Sequence, residues 1–315
     1  MDRPSVSINI LNYNTFEKSK VCIESCLGQD YENYQILLVD NCSTDNSFNQ
    51  LYELYGDKII CYKTDENYGY AKGNNIGVSL CIEKGIKYSL LLNSDTELVG
   101  KDFVAKLINV ALSCEKCAMV SPTIYDVTQK GRSFHQNESQ YLKYLRLGRV
   151  IPNNRSLSDK LKRLSEAHGS ALLVDNEIFL SVGGFPEHYF MYGEESTLAK
   201  KILWSGNYIY GVLDKDNYVL HHHDKSTYIE PWRLFLMGRN RGLEFWENRK
   251  EHHKYVWTLI FNLFKLQHKL LSYVHHNTSY FEGICSAKEL YLSGASKREC
   301  YEMAKKIRSE YYVKV

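Results

Sequence analysis

Four stretches of the sequence gather side chains that could do chemistry. Asn93-Ser94-Asp95 closes an apolar run, with Glu97 two residues further on. Oxygen ligands at a strand end suit Mg2+ or Mn2+, ions that bridge the phosphates of a nucleotide diphosphate and neutralise it as it departs. The plainer reading is an Asp-Thr turn that caps a following helix. His221-His222-His223-Asp224 follows the strand-like Tyr218-Val219-Leu220. Side chains alternate along a strand, so at most two of the three imidazoles face one site. One of them could complete a cation shell with Asp95. A solvated histidine cluster is the alternative.

Gly193-Glu194-Glu195 follows the aromatic Tyr189-Phe190-Met191-Tyr192 and leads into a polar helix. Paired acids at a helix start also serve the helix dipole. In a catalytic reading one is a general base that takes a proton from an attacking hydroxyl, an effect of roughly 10²- to 10⁴-fold in rate. The other holds a basic or hydroxyl partner. The fourth stretch, Asn67 to Gly77, puts Gly69, Gly73 and Gly77 at a helix entrance beside Lys72 and Asn74. Glycine lets backbone approach a ligand, and a helix start offers N–H groups and positive potential to phosphate. Spaced glycines serve tight turns and helix packing equally well.

The elements that must position these groups alternate. Strands are expected at Val6 to Leu11, Gln35 to Val39, Lys58 to Tyr62, Tyr88 to Leu92 and Ala118 to Ser121. Helices are expected at Glu17 to Leu27, from a Ser43 or Thr44 cap to Tyr55, at Tyr70 to Lys84 and at Asp102 to Ser113. Continuous apolar strands separated by helices indicate an α/β fold, with a mainly parallel, Rossmann-like sheet covered on both faces. Ligands in such sheets bind beyond the carboxyl ends of the strands. That directs attention to Asn12-Tyr13-Asn14, Asp40-Asn41 and Asn93-Ser94-Asp95. Residues 126–166 are polar and weakly periodic and read as an inserted loop or two short helices. Apolar order resumes at Gly169 to Val174, and aromatic, basic helices follow at Trp232 to Arg249 and Tyr255 to His275.

Composition narrows the function. A formal net charge of +2 over 315 residues gives no general attraction for nucleic acid. Nine cysteines cannot all pair within the chain, and a strand-like segment begins almost at once without a cleavable signal, so free thiols in a cytoplasmic protein are expected. The lone Cys114-x-x-Cys117 reads as buried thiols. No apolar run reaches the roughly 20 residues that span a bilayer. Trp257, Leu259, Ile260, Phe261, Leu263 and Phe264, among Lys254, Lys265 and Lys269, suit a helix packed on the protein or on a second subunit, or one lying on the inner face of the cell membrane.

In this order, over roughly residues 5 to 245, the segments resemble the inverting glycosyltransferases of family 2, of GT-A fold, and in particular their bacterial rhamnosyltransferase-like branch. Ser7 to Asn14 is similar to the family's first strand and base-contacting loop, Asn12-Tyr13-Asn14. Val39-Asp40-Asn41-Cys42-Ser43-Thr44-Asp45 is similar to the second, whose Asp meets the nucleobase or ribose. Asn67 to Gly77 matches N-x-G-x-x-x-G-N-N-x-G. Leu91 to Thr96 resembles the D-x-D-type metal motif with Asn93 in place of the first acid. Gly183-Gly184-Phe185-Pro186-Glu187 through Glu195 resembles the stretch ending in the catalytic base. The resemblance therefore implies Glu195 as base; Asn12, Tyr13, Asn14, Asp40, Asn67, Gly69, Lys72, Gly73, Asn74, Asn93 and Ser94 at the donor; and Asp95 and His221 on Mg2+ or Mn2+. Glu194 and the Arg239-Asn240 pair would lie near acceptor or phosphate. Two departures stand out: the base slot holds Glu where Asp is usual, and the acid and arginine expected after it are Thr197 and Lys201.

The reading that results is a catalytic domain over residues 1–230, with a nucleotide-binding part to about 125 and an acceptor part from 126, and a helical extension over 231–315. A nucleotide-diphosphate sugar would be the donor, and a saccharide or lipid-linked saccharide the acceptor. A homodimer and peripheral membrane contact are compatible with it. The rivals are a nucleotidyltransferase, which would want a Gly- and Arg-rich loop after the first strand where Asn12-Tyr13-Asn14-Thr15 stands, and a non-catalytic sugar-binding or scaffold protein, which the Thr197 and Lys201 departures keep open.

Overall fold

The computed structural model describes residues 3–128, 131–134, 155–222, 230–247, 254–274 and 277–312. The chain divides into two compact units. The first comprises Met1–Tyr68, Lys72–Phe185 and Leu198–Lys225, and the second Gly69–Ala71, Pro186–Thr197 and Ser226–Val315.

The first unit begins with the expected alternation: β1 (Val6–Asn12), α1 (Phe16–Leu27), β2 (Tyr34–Asp40), α2 (Ser47–Tyr55), β3 (Ile60–Lys63), α3 (Gly69–Glu83) and β4 (Tyr88–Asn93). The strands lie side by side in the order β3-β2-β1-β4, all parallel. Their alternation sorts the helices. Ile36 and Leu38 of β2 face the core that holds Cys22, Ile23 and Cys26 of α1 and Leu51 of α2. Leu37 and Val39 point the other way, to Cys81 of α3. Helices thus cover both faces, and every one of these strand residues is nearly fully buried.

Beyond β4 come β5 (Thr96–Val99), α4 (Phe103–Ser113), β6 (Cys117–Ser121), β7 (Ile124–Thr128), β8 (Gly131–Phe134), β9 (Arg155–Ser158), β10 (Leu161–Leu164), β11 (Ala171–Asp175) and α5 (Asn176–Ser181). After α6 (Glu194–Trp204) follow β12 (Tyr208–Val212) and β13 (Tyr218–His222). Here the parallel pattern gives way to a mixed one. β11 runs antiparallel to both β4 and β6, while β12 is parallel to β6. A second small sheet has the order β5-β13-β7-β8.

Three local expectations are corrected. The element after Asp95 is a strand, β5, so no helix is there to be capped. The stretch expected to be loop or short helices forms β7 to β10 where it is described; positions 135–154 lie outside the described residues. Neither Ser43 nor Thr44 caps α2: the Ser47 amide donates to Asp45 Oδ1 at 3.0 Å, after a left-handed Asn46. All nine cysteines are unpaired thiols, and burial pushes Cys117 up to about 12, which keeps it an inert core group.

The second unit is helical: α7 (Pro231–Glu247), α8 (Lys254–Val274), α9 (Ser279–Leu292) and α10 (Lys297–Tyr312). The expected ends at Arg249 and His275 lie outside the described residues. Glycines bring α7 and α9 into backbone contact. A Cβ on Gly238 would strike the Tyr280 carbonyl, and one on Gly283 the Phe235 carbonyl. α8 buries Phe261 against Trp246 and Ile284 and leaves Leu259 and Leu263 exposed. Among the described residues no helix is long and apolar enough to cross a membrane.

Candidate active site

At the carboxyl ends of β1 and β2 the polar residues bind one another. Asp40 is fully buried: Oδ2 accepts from Asn12 Nδ2 and from Ser43 Oγ, each at 2.6 Å, and Oδ1 accepts from the Ser43 amide at 2.8 Å. Asn12, also fully buried, accepts through Oδ1 from Thr15 and Ser19. Neither side chain reaches the surface. Asn12 and Asp40, expected at the nucleotide, here clamp two loops together. The half-buried groups at these strand ends are Tyr13 and Asn14. Asn14 and Cys42 hold left-handed backbone, at φ of 54° and 61°, a cost of about 1–3 kcal/mol that the surrounding network must offset. Asn14 Oδ1 accepts from the Thr44 amide at 2.8 Å, which ties the two loops across the sheet.

The glycine turn divides its labour. Gly69, at φ +72°, makes the turn into α3. Gly73 and Gly77 lie one and two turns into the helix on the same face, where they are packing residues. A Cβ on Gly73 would come within 2.7 Å of Leu11 Cδ1, and one on Gly77 within 3.3 Å of Val39 Cγ2. Gly73, expected at the phosphate, has its Cα packed on Leu11. Asn67 Oδ1 accepts from Asn41 Nδ2, and the Lys72 amine sits 3.5 Å above the Tyr68 ring. Asn74 is buried and Asn75 is given to structure, its amide paired both ways with the backbone of Phe185.

The turn after β4 and the end of β13 meet. β5 pairs antiparallel with β13 so that His221 stands opposite Thr96, and β7 places Asp126 opposite His221 on the other side. His221 Nε2 lies 3.4 Å from Asp95 Oδ1, and its Nδ1 lies 3.0 Å from Asp126 Oδ1. Burial lowers the affinity of this imidazole for protons, but the two carboxylates outweigh it and raise the group to about 9. His222 points to the opposite face, toward Glu97 at 3.0 Å; His223 and Asp224 lie outside the described residues. Asn93 is fixed through its backbone, and Ser94 Oγ accepts from Thr15 at 2.9 Å. Asp126 escaped the sequence reading. Only its pairing with a strand 95 residues later reveals it.

Among the described residues no three His, Cys, Asp or Glu groups form a ready cation site. The pair that is present still suits one. Asp95 offers carboxylate oxygen, and His221 offers Nε2 once Nδ1–H is held by Asp126, the arrangement that fixes a ligating imidazole and strengthens it. A two-donor protein site that leaves positions for phosphate and water is ordinary for Mg2+ or Mn2+.

In the second unit the approach to the paired acids is strained. Phe190, Tyr192 and Gly193 all hold positive φ, at 66°, 74° and 86°. The side chains expected near phosphate or acceptor are what hold this path. Asn240, 1% exposed, donates through Nδ2 to the carbonyls of Tyr189, Met191 and Tyr192 at 3.3, 2.8 and 2.7 Å. Arg239, 0% exposed, donates to the carbonyls of His188 and Cys300, and burial pulls its guanidinium down to about 10. Arg239 and Asn240, expected near phosphate or acceptor, support the segment before Glu194. Glu194 is buried, and burial followed by the charge of Glu195 pushes its carboxyl well above the usual range. Glu195 is half-buried. Burial, then the charges of Glu195 and Glu194, raises the Tyr70 phenol as well. Thr197 donates to the Tyr189 hydroxyl at 3.4 Å. Within the first unit Lys201 donates to the Gly184 carbonyl at 3.1 Å. Each departure from the expected acid and arginine therefore has a neutral partner of its own.

Solved structures place this architecture in a class. The *S. aureus* TarS fragment 1-349 in complex with UDP-GlcNAc superposes with a TM-score of 0.54 over 92% of both chains at 16% identity. The mannosyltransferase PcManGT from *Pyrobaculum calidifontis*, in complex with GDP-Man and Mn2+, superposes with a TM-score of 0.54 over 99% of this chain and 76% of its own at 13% identity. The fold is the GT-A glycosyltransferase fold with C-terminal helices.

Residues 7–172, more than half of the chain, match the model of glycosyl transferase family 2, and the chain belongs to that family. A low-salt glycan biosynthesis hexosyltransferase, Agl10 of *Haloferax volcanii*, is 27% identical over 60% of this chain and 59% of its own length. A UDP-Glc:alpha-D-GlcNAc-diphosphoundecaprenol beta-1,3-glucosyltransferase, WfaP of *Escherichia coli*, is 36% identical over 29% of this chain and 35% of its own. The chain thus spans only part of the length of these curated relatives.

Proposed function

We propose that this chain is an inverting glycosyltransferase that uses a dTDP- or UDP-sugar and extends a saccharide or lipid-linked saccharide in cell-surface glycan synthesis, at the inner face of the membrane. The observation that carries the reading is the Asp95–His221 pair, with His221 oriented by Asp126, inside a family 2 sequence. The relative that acts in glycan biosynthesis, the one that acts on a diphosphoundecaprenol-linked sugar, and structures holding UDP-GlcNAc or GDP-Man with Mn2+ support the same class of donor and acceptor.

The chemistry follows from the residues. Tyr13 and Asn14 meet the nucleobase, on the platform that Asn12, Asp40 and Ser43 tie together. Asp95 and His221 would hold Mg2+ or Mn2+, which when bound would offset the charge of the diphosphate. Glu195 takes the proton of an acceptor hydroxyl. That oxygen forms the new bond to the anomeric carbon as the bond to the diphosphate breaks, and configuration inverts. Glu194, whose carboxyl is pushed well above the usual range by burial and then by the charge of Glu195, leaves the proton transfer to its neighbour. The test is a donor panel with Mn2+, beginning with dTDP-rhamnose and the UDP-hexoses, read by thermal shift and by release of nucleoside diphosphate. Stabilisation and turnover with one donor are expected. No binding or release with any sugar nucleotide would leave a non-catalytic protein on this fold.

A further inference from the structure

α8 carries two apolar faces, and among the described residues only one is used inside the unit. Phe261 is fully buried and Phe264 packs beside it, while Leu259, Leu263, Leu266, Leu270 and Tyr273 are 61%, 52%, 53%, 59% and 65% exposed. Their spacing is four, three, four and three residues. That is the 3.5-residue period of a coiled-coil seam, here over two heptads. Projected at 3.6 residues per turn they fall within an arc of about 80°. Exposed Asn262 and Lys269 border the arc on one side and Gln267 on the other.

The width decides what covers the seam. A helix lying on lipid presents a broad apolar face, whereas a stripe this narrow between polar borders fits the side of another helix. The arc itself is uncharged, so nothing forbids like meeting like. With two copies antiparallel, Leu263 rests on Leu266 and Leu259 on Leu270 of the other chain, and Lys269 falls beside Asn262 and away from a second lysine. The surface removed from water is on the order of 1,000 Å² over both chains, the lower edge of specific interfaces, which suits a reversible dimer.

We propose that the exposed leucine seam of α8 is the contact through which two copies of this chain associate around a two-fold axis. This does not depend on the catalytic reading.

Sedimentation velocity of the full chain over a broad micromolar range tests it. A shift from monomer to dimer with concentration is expected. Leu263→Glu with Leu270→Glu should hold the protein monomeric at the highest concentration while the melting temperature stays within a few degrees. Leu263→Ala with Leu270→Ala, which adds no charge, should weaken the dimer at least tenfold and guards against misfolding of the first variant. Leu112→Glu, equally exposed but on α4, should leave the dimer intact. A wild-type chain that is monomeric throughout overturns the proposal, as does a dimer indifferent to the seam variants. Monomeric protein that floats with phosphatidylglycerol vesicles through these same leucines also overturns it, in favour of lipid.

Discussion

The strand-end platform of the first unit and the path to Glu194 in the second solve the problem of holding loops in different ways. At the platform the polar groups close on near neighbours. Asp40, Asn12, Ser43, Thr15 and Ser19 share hydrogen bonds between two adjacent strands and the helix that follows the first of them. In the second unit the carbonyls of Tyr189, Met191 and Tyr192, in a stretch with left-handed backbone at Phe190, Tyr192 and Gly193, are held by Asn240, some 50 residues later. A network of many small contacts tolerates the loss of one. A path that hangs three carbonyls on one side-chain amide tolerates the loss of that amide less well. Such loci of stored strain are where function concentrates.

The comparison can be broken at several points. The largest effect is expected at Asp95. Asp95→Asn removes the charge opposite His221 and should cut transfer roughly 10³-fold, with Mn2+ binding in the presence of UDP lost alongside it; unchanged Mn2+ binding by electron paramagnetic resonance would displace Asp95 from the cation site. Next comes Asn240→Ala, which releases three carbonyls. Turnover should fall by about 10- to 100-fold and stability by about 1–3 kcal/mol, while the Kd for UDP stays within a few-fold. If Ser43→Ala does as much damage to turnover, the contrast between the two regions fails.

Asp126→Asn sharpens the account at the His221 end. The amide can still accept from Nδ1–H but brings no charge, so Mn2+ affinity should weaken about 10- to 100-fold with the fold intact. Above about pH 9, where the metal-free imidazole is neutral, nitrogen chemical shifts of His221 should show the Nδ1–H tautomer in this variant and lose it in Asp126→Ala.

The smallest effect is expected at Glu194. Its carboxyl is raised in the folded chain, so its contribution to stability is whole below the ordinary carboxyl range and is lost as pH rises and the buried group is forced to ionise. Melting temperatures taken from about pH 5 to about pH 9 should fall for the wild type and fall less steeply for Glu194→Gln, in which the loss from His221, raised to about 9, remains. A steeper fall in the variant would contradict a neutral Glu194.

What the sequence made legible follows the same division. The strands and helices of the nucleotide-binding half could be read because Val6 to Asn12, Tyr34 to Asp40 and Tyr88 to Asn93 are short apolar runs that end in polar turns, and burial on both faces demands that pattern. Asp95 and His221 could be read because each follows such a run. Asp126 could not, because its partner is set by strand pairing across the small sheet. Nor could the inward course of Asp40 and Arg239: a motif gives residue type, whereas direction depends on what packs around it. Gly73 and Gly77 look alike in a phosphate turn and in a packed helix face, and only Leu11 and Val39 tell the two apart.

The central claim is that Glu195, and not its buried neighbour, takes the acceptor proton. Transfer by Glu195→Gln, measured beside the affinity of the same protein for UDP, tests it most directly. Turnover should fall by roughly 10²- to 10⁴-fold while the Kd for UDP stays within a few-fold. A variant that transfers sugar at the wild-type rate would contradict the claim.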